Sequence, residues 1–322
     1  MRCPFFALSH KVFHLQSRNN NKNDYIEFVK EQLYKLQPDI TISVGGSEFS
    51  ILPKLKDGSK KIYEFHYTKN YLINFVRGIH KIRLKQLHLL KVWWIQKKNE
   101  CIAKKYDKVV VLTKRDMTLW KGFNNVCYIH DPLSFKSELK STLTHKRIIS
   151  IGSLTPAKGM DLLIQSFALI AHQYKDWKLD IYGEGQDGEY LQELIENNNI
   201  KNQVRVHGYR EDVISPLLNA SIYAFPSRSD GFGLVITEAM ECGLPVVAFD
   251  CPCGPSEIVE HEKTGILVKE QNIHAFAKAL ERLMNDEELR LEMGRNTIKS
   301  VQRFYIECII PLWVDLFKDL TT

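Results

Sequence analysis

The 322-residue sequence predicts an α/β protein of two domains, with parallel strands covered on both faces by helices. Three observations carry this prediction. Short continuous apolar runs such as "RIISI" and "LPVVAF" alternate with segments of helical period, the pattern of a parallel sheet buried on both sides. The length suits two domains of ordinary size, each with its own core. Glycines and polar residues collect just after the apolar runs, where such sheets bind ligands.

The elements follow in order. Over residues 1–142, "DITISVGG", "KKIYEFHY" and "DKVVVLT" read as strands, with a long basic helix between the second and third; "NVCYIHDPLSF" is a short strand entering a linker. Pro132 and the polar "KSELKSTLTHK" mark the boundary with residues 143–322. There "RIISIGSL" is a strand, "GMDLLIQSFALIAHQY" a helix, "WKLDIYGEG" a strand and "EYLQELIENNNI" a helix. "VRVHGY", "EDVISPLLNA" and "SIYAFPS" continue the alternation, followed by a helix opening on Gly-Phe-Gly, then "LPVVAFD" and a short helix at "PSEIVE".

Composition narrows the class. Hydrophobic residues make up 44% and charged residues 25%, as in water-soluble folds, and no apolar run nears the ~20 residues that span a bilayer. The start reads as no signal peptide, since Ser9, His10 and Lys11 interrupt its apolar stretch. Seven cysteines without repeated spacing fit a reducing cytoplasm, and the "CPC" of Cys251 and Cys253 is a poor metal motif without a second pair. Residues 81–108 hold nine Lys or Arg against two acids, with Leu84, Leu87, Leu90, Trp94 and Ile95 at helical spacing and Trp93 beside them. Such a helix either rests on an anionic membrane surface or turns its apolar stripe to the core. No nucleic-acid recognition motif accompanies it.

The stretch "SRSDGFGLVITEAM" carries the chemistry. Gly231 and Gly233 leave the backbone N–H groups of a first helical turn open to an anion, and Asp230 and Glu238 place acids at the helix mouth and about two turns further in. A phosphorylated ligand bearing hydroxyl groups suits both features; an ordinary tight strand-to-helix turn is the alternative. The strand ends "GSLTPAKG", "GEGQ" and "HGY" add Gly152, Ser153, Lys158, Gly183, Glu184, His207 and Gly208 to the same edge. Lysine at position 158 suits phosphate as a mobile point charge. No GxxxxGK[ST], G-x-S-x-G or H-E-x-x-H occurs, and no G-x-G-x-x-G opens either half, which removes nucleotide triphosphatase, dinucleotide dehydrogenase, serine hydrolase and zinc protease readings.

Taken together, "IGSLTPAKGMDLLIQSF", "IYGEGQDGEYLQELI", "VHGY", "FPSRSDGFGLVITEAMECGLPVVAFDCPCGPSEIV" and "TGILV" resemble the family 4 retaining glycosyltransferases, over about Lys146 to Leu267. "EFHY", "DKVVVLTKRDMTLW" and "YIHDPLSF" look like the members that build bacterial surface polysaccharides. The resemblance implies a GT-B fold, two Rossmann-like domains with parallel sheets facing a cleft, and a nucleotide-sugar donor, most often UDP-linked, bound by the second domain. It implies that Glu238 accepts from the ribose hydroxyls, Asp230 holds sugar hydroxyls, and the backbone of Gly231, Phe232, Gly233 and Leu234 meets the distal phosphate. Lys158 would neutralise the departing diphosphate, His207 and Gly208 would meet the base through their backbone, and Gly152, Ser153, Gly183 and Glu184 would line the cleft. His66 would face the sugar from the first domain as a catalytic residue alongside Asp230 and Lys158. The implied enzyme uses no cofactor or metal, takes a lipid-linked glycan as acceptor, and works on the cytoplasmic side of the membrane; a contact with it through 81–108 is the membrane alternative of the basic helix. The alternatives are a non-catalytic binder or scaffold for nucleotide sugars and, less favoured by the motif order, a GT-B sugar-nucleotide epimerase.

Three departures from the family pattern stand out. Asp230 replaces the usual glutamate, Ser153 stands where many members carry a phosphate-binding arginine, and the sequence reads as lacking the first strand, its loop and the first helix of the acceptor-side domain. "FYIECIIPLWVDLFKDL" resembles the closing helices of the fold, which pack back on the first domain.

Overall fold

The computed structural model describes residues 22–78 and 85–322. The N-terminal segment through "FFALSHKVFHLQ", and residues 81–84 of the basic stretch, lie outside the described residues. Two all-parallel sheets organise the chain. In the first, β1 (Ile40–Ser43), β2 (Lys60–Phe65), β3 (Lys108–Val111) and β4 (Val126–Tyr128) lie side by side in sequence order. Helix α1 (Lys22–Leu36) precedes β1; α2 (Tyr71–Gly78) and α3 (Lys85–Ala103) fill the crossover to β3; and α4 (Lys114–Leu119) leads to β4.

The second sheet contains β5 (Arg147–Ile151), β6 (Lys178–Tyr182), β7 (Val204–His207), β8 (Ile222–Phe225), β9 (Val246–Phe249) and β10 (Gly265–Val268). Its spatial order is β10-β9-β8-β5-β6-β7, so the winding reverses between β5 and β8. That reversal parts the loops following the two strands, and the parting is where an open parallel sheet accepts a ligand. Helices α5 (Met160–Ala168), α6 (Gly188–Asn197), α7 (Ile214–Leu218), α8 (Leu234–Glu241), α9 (Pro255–Ile258), α10 (Ile273–Asn285) and α11 (Glu287–Ser300) cover the sheet. One apolar cluster gathers Ile148, Leu163, Phe167, Leu179 and Phe276, and another gathers Ile149, Tyr223, Ile236, Met240 and Phe304. Alternate strand residues thus feed opposite faces, which is why these strands read as unbroken apolar runs.

The last helix, α12 (Ile306–Thr321), contributes Ile309 and Leu316 to a cluster with Ile62, Val110 and Ile129 of the first sheet. The chain therefore passes between the halves twice, and Leu133 N–H on the outward pass donates to the Phe304 carbonyl on the return at 2.7 Å.

Two local readings change. The first helix of the second half, expected to reach Tyr174, ends at Ala168 and continues as tight turns, with Ile170 N–H bonded to the Phe167 carbonyl and Tyr174 N–H to that of Ala171. In α3 the stripe expected to be buried, if not membrane-bound, faces outward: Leu87, Leu90 and Trp94 are 59%, 58% and 67% exposed. The inward face is Leu89, Val92, Gln96, Glu100 and Ala103, which also recur at helical spacing but are partly polar. Periodicity identified a stripe but could not say which side met the core. Among the described residues, no helix is long and apolar enough to cross a membrane.

Candidate functional site

The loop after β8 and the loop after β5 are tied together at the winding reversal. Arg228 N–H donates to the Ala157 carbonyl at 2.8 Å, and its guanidinium grips Asp161 in a two-pronged bridge at 2.8 and 2.6 Å while also meeting the Pro156 carbonyl at 2.7 Å. Both charged partners are largely buried, so the geometry of the turn Pro156–Lys158 is fixed by this clamp. The clamp aims Lys158 at Asp230, and the ammonium bonds the Asp230 carboxylate directly. Sequence reasoning chose both members of this pair but missed Arg228, whose place inside "SRSDG" was the available signal.

Helix α8 begins at Leu234, three residues later than its opening glycine suggested, with Gly233 as cap at φ +102°, a left-handed conformation that side chains with a Cβ resist. Glu238 therefore lies about one turn into the helix, where two were expected. Its Oε1 accepts from Ser134 Oγ of the linker at 2.5 Å. The ring of Phe232 points away from the loop into the core, stacked on His130 at 5.5 Å between centroids and edge-on to Phe304, so only its backbone can serve a ligand.

The first sheet meets this loop at Gly231. A Cβ there would fall 2.3 Å from the His66 carbonyl oxygen and 3.2 Å from the Tyr67 Cα, so only glycine permits the approach. The His66 ring lies between Glu64, 3.5 Å from Nε2, and Asp131, 4.0 Å from Nδ1. Contact with Glu64, aided by the Asp131 charge, pushes the imidazole pKa up against the opposing effect of burial. Burial pushes the Asp131 carboxyl up to about 6, with the charges of Glu64 and Asp230 adding to the effect and His66 opposing it. Donor atoms of Glu64, His66 and Asp131 lie within 4.8 Å of one another, close enough to hold a metal ion, although the imidazole already faces both carboxylates. Asp131 escaped the sequence reading; it sits in "YIHDPLSF", quoted as a strand entering a linker and as a segment of the resemblance, without a role for the acid.

Beyond β5 and β6 a cavity of about 300 Å³ is lined by Gly152, Ser153, Gly183 and Glu184, four residues expected there, and by Tyr182, Tyr209 and Arg210. Glu184 accepts from Tyr209 N–H at 3.2 Å, and Gly208 lies beside the same carboxylate. His207 is set back: its ring stacks on Tyr182 at 4.3 Å, and its Nε2 lies 2.8 Å from Asp180. Arg115 at the start of α4 joins the halves, its guanidinium 2.7 Å from Asp250 and its backbone N–H 2.9 Å from Glu257 of α9.

Two parallel sheets meeting across a cleft, with glycine-rich loops and a lysine at the winding reversal of the second, define the GT-B architecture. The family model "Glycosyl transferases group 1" matches residues 134–300. An uncharacterised glycosyltransferase of Haemophilus influenzae is 33% identical over 96% of this chain and 86% of its own length. The chain belongs to the group 1 glycosyltransferases. A poly(ribitol-phosphate) alpha-N-acetylglucosaminyltransferase of Staphylococcus aureus is 30% identical over 67% of this chain, which spans only 45% of that enzyme. A solved structure of S. aureus TarM containing UDP and alpha-GlcNAc-glycerol has a TM-score of 0.76 at 25% identity, covering 91% of this chain and 58% of that one. Sucrose-phosphate synthase of Thermosynechococcus elongatus shares the fold, with a TM-score of 0.77 at 20% identity over 92% of this chain and 77% of its own.

Proposed function

We propose that this glycosyltransferase moves a hexosyl unit from a UDP-sugar to a hydroxyl of a growing surface glycan, with retention of anomeric configuration. The observation that carries the reading is the Lys158–Asp230 pair at the mouth of α8, facing His66 across the Gly231 contact. A diphosphate entering there competes with Asp230 for the ammonium and releases the carboxylate to hold sugar hydroxyls. The bond from the anomeric carbon to the diphosphate oxygen then breaks, the acceptor oxygen bonds on the face the diphosphate leaves, and the acceptor proton passes to the departing phosphate oxygen. Lys158 and the open backbone of the α8 entry stabilise the charge that develops there. His66 lies where it can position the sugar, while Ser134 yields Glu238 to the ribose. The cavity beside Gly152, Gly183 and Glu184 takes the base, with Tyr209 and Arg210 as its outer wall.

The same reading places the enzyme on the cytoplasmic side of a membrane, holding a lipid-linked acceptor near the surface. Support comes from α3, where outward Leu87, Leu90, Trp93 and Trp94 are interleaved with exposed Lys91, Lys97 and Lys98. The test of the donor assignment is calorimetric titration with UDP, repeated on Glu238→Ala, followed by product analysis with UDP-glucose and UDP-N-acetylglucosamine. Binding that disappears in the variant is expected. Undiminished binding by Glu238→Ala, or no binding by the folded parent chain, overturns it.

A further inference from the structure

The loops that carry His66 and Asp230 touch at Gly231 and are joined a second time, at a buried carboxylate with no part in the donor site. Asp116, in the first turn of α4, is 1% exposed. Its backbone N–H donates to Thr113 Oγ1 at 3.0 Å, which caps the helix and leaves the carboxylate free for other donors. Among the described residues three donors converge on that carboxylate. Trp120 Nε1 of the same half meets Oδ2 at 3.1 Å. Lys69 N–H, three residues after His66, meets Oδ1 at 2.8 Å, and Cys253 Sγ, from the loop after β9, meets the same Oδ1 at 3.3 Å. One oxygen atom thus links a loop of the first half to a loop of the second.

The Cys253 end leads directly to Asp230. The two residues pair as an isolated parallel bridge, and a Cβ on Gly254 would fall 1.9 Å from the Phe232 carbonyl oxygen, so the loop after β9 runs closely along Asp230–Phe232. Cys253 stands at φ +84°, a left-handed conformation that a residue with a Cβ keeps only where its surroundings hold it. Its thiol is fully buried; burial pushes the pKa up and the Asp116 charge adds to this, so the sulfur keeps its proton and donates. Burial pushes the Asp116 carboxyl up too, against the hydrogen bonds from Lys69, Trp120 and Cys253. Arg115, the neighbour of Asp116, meets Asp250 and Ser256 of the same loop at 2.7 and 3.0 Å, so α4 holds that loop at two places. The contacts close a ring that runs from His66 to Gly231, along to Asp230, across to Cys253, through Asp116 to Lys69, and back to His66.

We propose that Asp116, acting through Cys253, is a positioning residue that sets the spacing of His66 and Asp230 and so the fit of the transferred sugar between them, a role that rests on the donor reading above. Neither side chain touches the donor, since both are closed to solvent. Glu238, Lys158 and the cavity beside Gly152 and Glu184 lie outside the ring, so slackening it loosens the sugar and leaves the grip on the nucleotide. A thiol is a weak donor, so the effect of removing it is modest, and a hydroxyl in its place supplies a donor again.

The test compares Cys253→Ala with Cys253→Ser, each titrated by calorimetry as the whole chain with UDP, UDP-glucose and UDP-N-acetylglucosamine. Both changes shrink the side chain at the same backbone conformation, so loss of packing lowers stability to urea in both, whereas only alanine removes the donor. In the alanine variant the dissociation constant for a UDP-sugar, divided by that for UDP, should rise about fivefold, the contribution of one hydrogen bond, while UDP itself binds as in the parent. In the serine variant the ratio should stay within twofold of the parent. A ratio unchanged in the alanine variant for both sugars, or raised equally in both variants, overturns the positioning role and leaves the donor reading intact. Weakened binding of UDP itself in the alanine variant also overturns it, because the ring would then support the nucleotide site as a whole. No UDP binding by the folded parent is the failure of the donor reading, and the proposal falls with it.

Discussion

Replacing Asp131 with asparagine should make the protein more stable at pH 8 and leave its stability unchanged near pH 4. The carboxyl is 14% exposed, faces His66, and shares its surroundings with Glu64 and Asp230, the latter partly neutralised by Lys158. Burial is the main cause that lifts its titration from 3.8 to about 6. In the folded chain this group holds its proton roughly a hundredfold more tightly than in the unfolded one, a difference of about 3 kcal/mol. Between those two values the folded state binds more protons, so stability is full below pH 4, is lost as pH rises to about 6, and stays lost above. Asparagine has no charge to desolvate and escapes that loss, though it forfeits the attraction to His66, so the gain at pH 8 should fall between about 1 and 3 kcal/mol. Urea unfolding of both proteins at pH 4.5, 6 and 8 reads it directly. A difference of the same size at every pH, or a variant weaker at pH 8, would refute the reasoning. The carboxylate faces the cleft, so the same variant should turn over more slowly despite its greater stability.

Three further outcomes are expected. Lys158→Met removes the charge aimed at the diphosphate and strands Asp230; turnover should fall about a hundredfold, ~3 kcal/mol, and a kcat within twofold of the parent would remove Lys158 from its role. Gly231→Ala forces a methyl group to within 2.3 Å of the His66 carbonyl, so the halves must part: UDP binding by calorimetry should persist while transfer is lost, and full activity would show that the contact is dispensable. Co-sedimentation should capture the protein on anionic vesicles at low salt and release it at high salt, and Trp94→Ser should weaken capture; equal binding to neutral vesicles argues against a role for the exposed lysines of α3.

Much of the second sheet was legible because its central strands are buried on both faces and so read as unbroken apolar runs, as "IYAF" and "VVAF" do, whereas the edge strand "VRVH" is only partly buried. The strand order was not, since the reversal at β5 and β8 arises from pairings between segments about 70 residues apart. The glycine-rich ends and the two acids were legible because each reflects a local demand on the backbone. The Lys158–Asp230 pair and the Arg228–Asp161 clamp were not, because they join separate loops whose approach only the fold creates. Helix α3 shows the limit most plainly: apolar spacing marked Leu87, Leu90 and Trp94 as one face, while the face that meets the sheet carries Gln96 and Glu100.

The double passage of the chain between the halves governs how the cleft can move. A single connection would let the halves swivel in any direction, but two passes bonded side by side at Leu133 and Phe304 leave one easy motion, a rotation about the line they define. His130 and Phe232 stack on each other and both meet Phe304 edge-on, so the residue just before Gly233 is packed against the return pass of the chain. Removing α12 would do more than shorten the protein: it would uncover Ile62 and Val110 and cut one of the two tethers, exchanging a guided rotation for an unguided one.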